Sequence, residues 1–299
     1  MKDWFVYAAY RAGAGLIGLL PGALVRRIGY YIGWLAWLWA SDRRTMALRH
    51  MERVLGTGPH AVRAARGMFA AYGRYWAEVF WYRPRRFVEV ESALHIDGLE
   101  HLRQPIDDGR PVILTLPHIG NWEMAATAAE RVGVTITAVA ESLGNRRVTD
   151  WFLAMRESLS IDVVLTDRPG GTTRKLLEAL KNGQTVALLN DRDLSGRGVT
   201  VDFFGEATTL PAGPAALAIR TGAAIVPVAS YFAPGDGHHI IIEPEVTVPM
   251  IGTTEERVRA ATQALANVLE RQVRRHPEQW HLVQPNWPSD RESLSADAK

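Results

Sequence analysis

The sequence predicts an α/β fold, a central and mostly parallel sheet flanked by helices, with a helical hairpin ahead of it. Three observations predict it. Beyond Val88, short apolar runs alternate with helical patterns, as βαβ units require. In one run, PVILTLPHIGNWE, Val112, Ile113, Leu114 and Leu116 form a strand apolar enough for burial on both faces, which parallel central strands show. Finally, Trp4 to Trp39 is apolar and aromatic, yet divided by Arg11, Pro21, Arg26 and Arg27. The undivided pieces fall short of the ~20 residues needed to cross a bilayer, so two shorter helices meeting near Pro21-Gly22 describe the stretch better.

Residues 1–45 therefore read as a hairpin lying in a membrane interface. Trp4, Tyr7, Tyr10, Tyr30, Tyr31, Trp34, Trp37 and Trp39 favour the headgroup region, and the arginines beside them suit anionic lipid. The stretch lacks the basic start and small-residue cleavage site of a secretory leader. Residues 46–288 form the α/β domain, and 289–299 a polar tail. Ser41-Asp42 suits the cap of a helix through Thr45 to Leu55, broken by Gly56-Thr57-Gly58-Pro59. A helix from His60 to Tyr82 aligns Met68, Phe69, Tyr72, Tyr75, Trp76, Val79 and Phe80 on one face. Arg83, Arg85 and Arg86 then read as a solvated charged end. Val88–Val90 and His95–Gly98 read as an extended opening strand. Helices are expected over Leu99–Asp107, Trp122–Arg131, Asn145–Leu159, Thr172–Lys181, Ala212–Thr221 and Thr253–Arg275. Strands are expected over Val112–Leu116, Thr135–Val139, Val163–Leu165, Thr185–Leu189, Ile225–Tyr231 and Ile240–Pro244. His238-His239 reads as a surface turn.

At 299 residues, 47% hydrophobic and 22% charged, the chain is a folded protein with a sizeable core. It has no cysteine, which excludes disulfides, thiol nucleophiles and thiolate metal sites. No G-x-S-x-G elbow, Walker loop or G-x-G-x-x-G turn is present. What remains is His118, a side chain of a type whose unperturbed pKa lies near neutrality, on the turn at the carboxyl end of a central strand. Acyl transfer to a hydroxyl needs a base to take the alcohol's proton, and that base needs a carboxylate on its other ring nitrogen. Glu123, five residues on, and Asp191, in LLNDRDLSG just past the strand Thr185–Leu189, both qualify on topology. The H-x-x-x-x-E spacing is not that of a zinc helix, so no metal is expected. Backbone amides near Gly120 or at a helix start would hold a carbonyl oxyanion, and an apolar tunnel beside the sheet would take an acyl chain.

PHIGNWE, then DRDLSGRGVTVDFFGEATTLPAGPAALAIRTGAAIVPV, then QWHLVQPNWPSD resemble the lauroyl and myristoyl lipid A acyltransferase family, and within it the phosphatidylinositol mannoside acyltransferases of actinobacteria. The match runs over essentially the whole chain. It implies a glycerolipid-acyltransferase-like fold and transfer of a long-chain acyl group from acyl-CoA, as co-substrate rather than cofactor, to a sugar hydroxyl, mannose above all, of a membrane glycolipid. His118 falls on the family's catalytic histidine and Glu123 on the acidic member of its H-x-x-x-x-[DE] motif. Asp191 falls where the mannoside branch places its histidine's partner, one methylene shorter than the glutamate expected there, which raises the standing of Glu123. Arg156 falls on an arginine used by the lipid A branch. Arg156, Arg192, Asp193 and Asn121 are the expected substrate-binding residues, with Asp193 holding Arg192, Arg156 or the sugar. The implied partners are acyl-CoA, the glycolipid acceptor and an anionic membrane surface, with no nucleic acid. The implied location is peripheral, on the cytoplasmic face of the inner membrane. A lipid A-type enzyme fed by acyl carrier protein, or a non-catalytic lipid-binding protein, are the alternatives.

Overall fold

A computed structural model describes residues 2–142, 144–166, 171–193 and 196–291. The chain opens with four helices, α1 (Lys2–Ile17), α2 (Gly22–Ala36), α3 (Ser41–Leu55) and α4 (Pro59–Trp81). Helices α2 and α4 pack backbone to backbone. A Cβ on Gly33 would sit 2.0 Å from the Phe69 carbonyl, and one on Gly73 2.2 Å from that of Gly29. Buried Arg26 of α2 donates to Glu78 of α4 at 2.9 Å. Arg83 and Arg86 are not the solvated end their charge suggests. Arg86 donates to the Gly18 carbonyl at 2.9 Å and Arg83 to that of Ala14, so they satisfy the carbonyls that end α1. Helix α3 starts at Ser41 itself, with Ala40 at its N-cap and no side-chain cap. Among the described residues no helix is long and apolar enough to cross a membrane.

The remaining elements are α5 (Phe87–Ser92), β1 (Leu94–Asp97), α6 (Leu99–Asp107), β2 (Val112–Leu116), α7 (Trp122–Ala125), α8 (Ala129–Val132), β3 (Ile136–Ala140), α9 (Arg146–Glu157), β4 (Ile161–Leu165), α10 (Gly171–Lys181), β5 (Thr185–Leu189), β6 (Val199–Phe203), β7 (Glu206–Leu210), α11 (Gly213–Thr221), β8 (Ala224–Phe232), β9 (His238–Ile242) and α12 (Thr254–Arg275). The fold is α/β, with the seven-stranded order β1-β9-β8-β2-β5-β3-β4. Every pair in it is parallel except β8–β9.

Several expectations need correction. Val88–Val90 lies in α5, where only Val90 is buried and Val88 faces out; three alternating residues are too few to set a strand. The single helix expected over Trp122–Arg131 is two short ones joined by a 3₁₀ turn, Ala126–Ala128. His238 is 1% exposed and begins β9. The β6–β7 hairpin was not expected at all. Its two-residue loop, Phe204-Gly205, has φ of 54° and 76°, the left-handed pair that suits the twist of a tight hairpin. Asp290, at the start of the expected polar tail, is fully buried against His50, Arg49 and Arg53. Residues 292–299 lie outside the described residues.

For function, the important feature is the middle of the sheet. Strand β2 runs between β8 and β5, and its last residue is level with that of β5, Leu116 opposite Leu189. The two chain segments leave the sheet side by side at their carboxyl ends, where open α/β sheets bind ligands.

Candidate active site

Two residues beyond Leu116 stands His118; two beyond Leu189 stands Asp191. The in-register strands therefore bring the two to the same height, and the Asn190 amide still bonds to the Leu116 carbonyl at 3.1 Å. His118 Nδ1 lies 2.6 Å from Asp191 Oδ1, while the His118 backbone N–H donates to Oδ2 at 3.0 Å. Trp280 Nε1–H donates to the same Oδ2 at 2.8 Å. The turn itself is held from the C-terminal segment: Gly120 donates to the Gln279 carbonyl at 3.0 Å, and the His281 amide to the His118 carbonyl at 2.7 Å. Gly120 is obligatory there. Its φ is +57°, and a Cβ would lie 2.0 Å from the Ser230 carbonyl of β8.

Asp191 is fully buried. Burial alone would raise its carboxyl, but the charge and hydrogen bonds of His118, with the Trp280 donor, outweigh it and hold the group at about 2. The carboxylate is thus ionised at neutral pH and can only accept, so Nδ1 carries the proton facing it, and in the neutral form of the ring Nε2 has the lone pair. One methylene fewer than glutamate is no obstacle, because the strand register already closes the gap.

Glu123 does not make that contact. It is buried and takes Arg156 of α9 in a forked pair, with Nε at 3.1 Å from both carboxylate oxygens and Nη2 at 2.5 Å from Oε1. Burial would lower the guanidinium, yet Glu123 raises it above its ordinary value. Asn121 is placed differently from the substrate-binding expectation. It caps α7 by accepting from the Met124 amide at 3.2 Å, donates to Glu78 at 2.7 Å, and is fully buried. Asp193 accepts from the Gly198 amide at 2.6 Å rather than from Arg156, and its own amide donates to Asn286. The amides expected to hold an oxyanion near Gly120 are engaged, since those of His118, Ile119 and Gly120 bond to Asp191, Pro117 and Gln279.

His118 opens into a cavity of about 710 Å³ that Arg156, Arg192 and Asp193 also line. Tyr72, Tyr75, Trp76 and Trp122 form an aromatic wall, with Trp122 edge-on to His118 at 5.3 Å. Beyond Trp122 and Arg156 lies a narrower apolar cavity of about 110 Å³ under the sheet, lined by residues such as Leu114, Ala129, Ala187 and Ile240. On the other side, Tyr72 and Trp76 are shared with an apolar groove of about 560 Å³ along α2 and α4. Among the lining residues that sequence reasoning did not single out is His281, within the QWHLVQP segment. It is 3% exposed, and neither ring nitrogen has a hydrogen-bond partner. Burial, then the nearby His118, push its imidazole down to about 3, so it is neutral at pH 7. Only its adjacency to the His118 turn, made by the Ile119–Trp280 bridge, marks it out, and no local pattern encodes that.

The family model described as "Bacterial lipid A biosynthesis acyltransferase" matches residues 1–289. The chain belongs to this family. It is an acyltransferase. A relative from Mycolicibacterium smegmatis, the phosphatidylinositol mannoside acyltransferase, is 36% identical over 284 residues, covering 94% of this chain and 91% of the relative. The protein of the same description from Mycobacterium tuberculosis strain H37Rv is 37% identical over 295 residues, covering 96% and 89%. In this acyltransferase the His118–Asp191 pair is a histidine–carboxylate arrangement that opens to the large cavity.

Proposed function

We propose that this acyltransferase moves a long-chain acyl group from acyl-CoA to a mannose hydroxyl of a phosphatidylinositol mannoside, working on the cytoplasmic surface of the inner membrane. The observation that carries the proposal is His118, its Nδ1 held by buried Asp191 and its Nε2 free toward a cavity that meets an apolar channel. Nε2 takes the acceptor hydroxyl's proton as the oxygen attacks the thioester carbonyl. The imidazolium that forms is stabilised by the Asp191 carboxylate, and its proton then goes to the departing thiolate. A neutral His281 supplies a ring N–H to the oxyanion, the role for which the backbone amides of the His118 turn are already spoken for.

The Glu123–Arg156 pair positions rather than reacts, forming the polar rim where the large cavity meets the apolar channel. The acyl chain lies in the apolar groove of about 560 Å³ along α2 and α4, which shares Tyr72 and Trp76 with the large cavity, since each methylene withheld from water is worth about 0.8 kcal/mol. Arg192 and Arg220, which also line the large cavity, suit the donor's phosphates. Membrane docking is supported by where the large apolar side chains stand exposed. Among the described residues, thirteen of the eighteen, including Trp4, Leu19, Tyr31, Ile32 and Trp39, belong to the first two helices and the turns that follow them; Leu55, Val62, Val88, Met250 and Ile251 lie elsewhere. Such a concentration of exposed apolar side chains in one segment marks a surface that is covered in use.

Purified protein incubated with radiolabelled palmitoyl-CoA and fractionated membrane lipids is expected to label a mannosylated phosphatidylinositol. His118→Ala is expected to label nothing while keeping its far-ultraviolet spectrum. Near-normal labelling by that variant would overturn the mechanism, and label appearing only with an acyl carrier protein donor would overturn the donor.

A further inference from the structure

The parallel register that pairs β1 with β9 sets His95 opposite His239, and Asp97, two residues along β1, on the same face. All three side chains lie on the outer side of the sheet edge, away from the cavity that Ile96 and Ile240 line from the other face. Both histidines aim the same ring nitrogen at one carboxylate. His95 Nε2 is 3.1 Å from Asp97 Oδ1, and His239 Nε2 is 2.7 Å from Oδ2. The two rings are 5.1 Å apart, and one ligand atom from each of the three residues falls within 4.8 Å of the others.

We propose that His95, Asp97 and His239 form a binding site for a divalent transition-metal ion of the zinc class. Two imidazole nitrogens and one carboxylate oxygen suit zinc, nickel or copper, and not magnesium or calcium, which want oxygen ligands. Ligand atoms about 2.0–2.1 Å from a tetrahedral zinc lie roughly 3.3 Å from one another. The His95–Asp97 separation of 3.1 Å is close to that and the His239–Asp97 separation of 2.7 Å is shorter, while the side chains of His95 and Asp97 are more than half exposed and free to adjust. Three protein ligands leave a fourth position for water or an incoming group. The site would staple β1, a four-residue edge strand paired on one side only, to β9. It therefore clamps the strand whose inward residue Ile96 borders the apolar channel.

The test is calorimetric titration of chelator-treated full-length protein with zinc chloride, followed by copper(II) electron paramagnetic resonance on the same samples. One ion per chain is expected, with a rise in the thermal unfolding midpoint, and none with magnesium chloride. His95→Ala, His239→Ala and Asp97→Asn are each expected to weaken binding at least about tenfold. Each histidine variant should also remove one of two nitrogen couplings from the copper spectrum. His60→Ala, on an exposed histidine elsewhere, should change neither. Absence of saturable zinc binding at roughly a hundredfold molar excess, or binding unaltered in both histidine variants, would overturn the proposal. Circular dichroism separates a lost site from a lost fold, and Asp97→Asn, which keeps the side chain's shape, provides a variant expected to fold.

Discussion

Replacing Asp191 by asparagine changes one atom and, on the geometry described, the wrong proton. Two donors, the His118 backbone N–H and Trp280 Nε1–H, already point at Oδ2. The amide oxygen of the variant settles there, because the alternative sets an NH₂ against two N–H groups. The amide nitrogen then faces His118 Nδ1 and donates to it. The imidazole must accept at Nδ1 and carry its proton on Nε2, so the lone pair that takes the acceptor's proton is gone. A wrong-tautomer histidine of this kind costs about 10⁴-fold in turnover, equivalent to about 5 kcal/mol at the transition state. The buried hydrogen bonds are all still made, so the fold should persist. The assay is thiol release from palmitoyl-CoA in the presence of acceptor glycolipid, with kcat and KM determined separately. A fall of 10³-fold or more in kcat, with KM for the donor little changed and an unaltered unfolding midpoint, is expected. A loss below about tenfold would refute the reasoning, since Asp191 would then not be setting the tautomer.

Arg156→Met leaves Glu123 buried without its partner and should destabilise the fold by about 3–5 kcal/mol, read by urea unfolding; a change under 1 kcal/mol would show the pair to be solvated. Leu19 and Trp39 are 76% and 77% exposed. At about 1.5 kcal/mol each, Leu19→Ser with Trp39→Ser should lower co-sedimentation with anionic vesicles about a hundredfold, and unchanged sedimentation would count against membrane docking through these helices. Buried His281 gives the protein an acid limb. The unfolded chain protonates it below about 6.5, the folded chain only near 3, so unfolding takes up a proton in that window and stability falls as pH drops. The slope contributed is at most about 1.4 kcal/mol per pH unit, and His281→Leu should flatten it by up to one proton in unfolding curves between pH 4 and 6. Curves of identical slope would mean that water reaches the ring.

Local chemistry was enough to read much of this protein from its residues alone. Apolar runs and their interruptions located β2, β5 and β8, because a strand buried on both faces has nowhere to hide a charge. Amphipathic periodicity placed α12, which the structure shows to start with a capping box of Thr253 and Glu256. It also placed His118 on its turn, since Pro117 cannot continue a ladder. What failed locally were elements whose form is imposed from outside. The β6–β7 hairpin turns at Phe204, a non-glycine residue in a left-handed conformation, so the usual turn signal is missing even though β6, VTVDF, alternates cleanly. His238 is buried beside Glu78, a residue 160 positions away in the chain, which no local pattern records.

The site divides in the same way. Its acid–base vocabulary, His118 with Glu123 and Asp191 as rival partners, was legible in the residues, because few side chains do this chemistry. Which carboxylate reaches the histidine depends on which strands are neighbours and in what register, and a sequence carries no direct record of either. Tertiary structure decided it. Strand β5 lies beside β2 with Leu189 level with Leu116, which delivers Asp191 to Nδ1, while α9 brings Arg156 across to occupy Glu123. His281, the neutral histidine beside them, was invisible for the same reason: nothing within a few residues of it says that it will face His118.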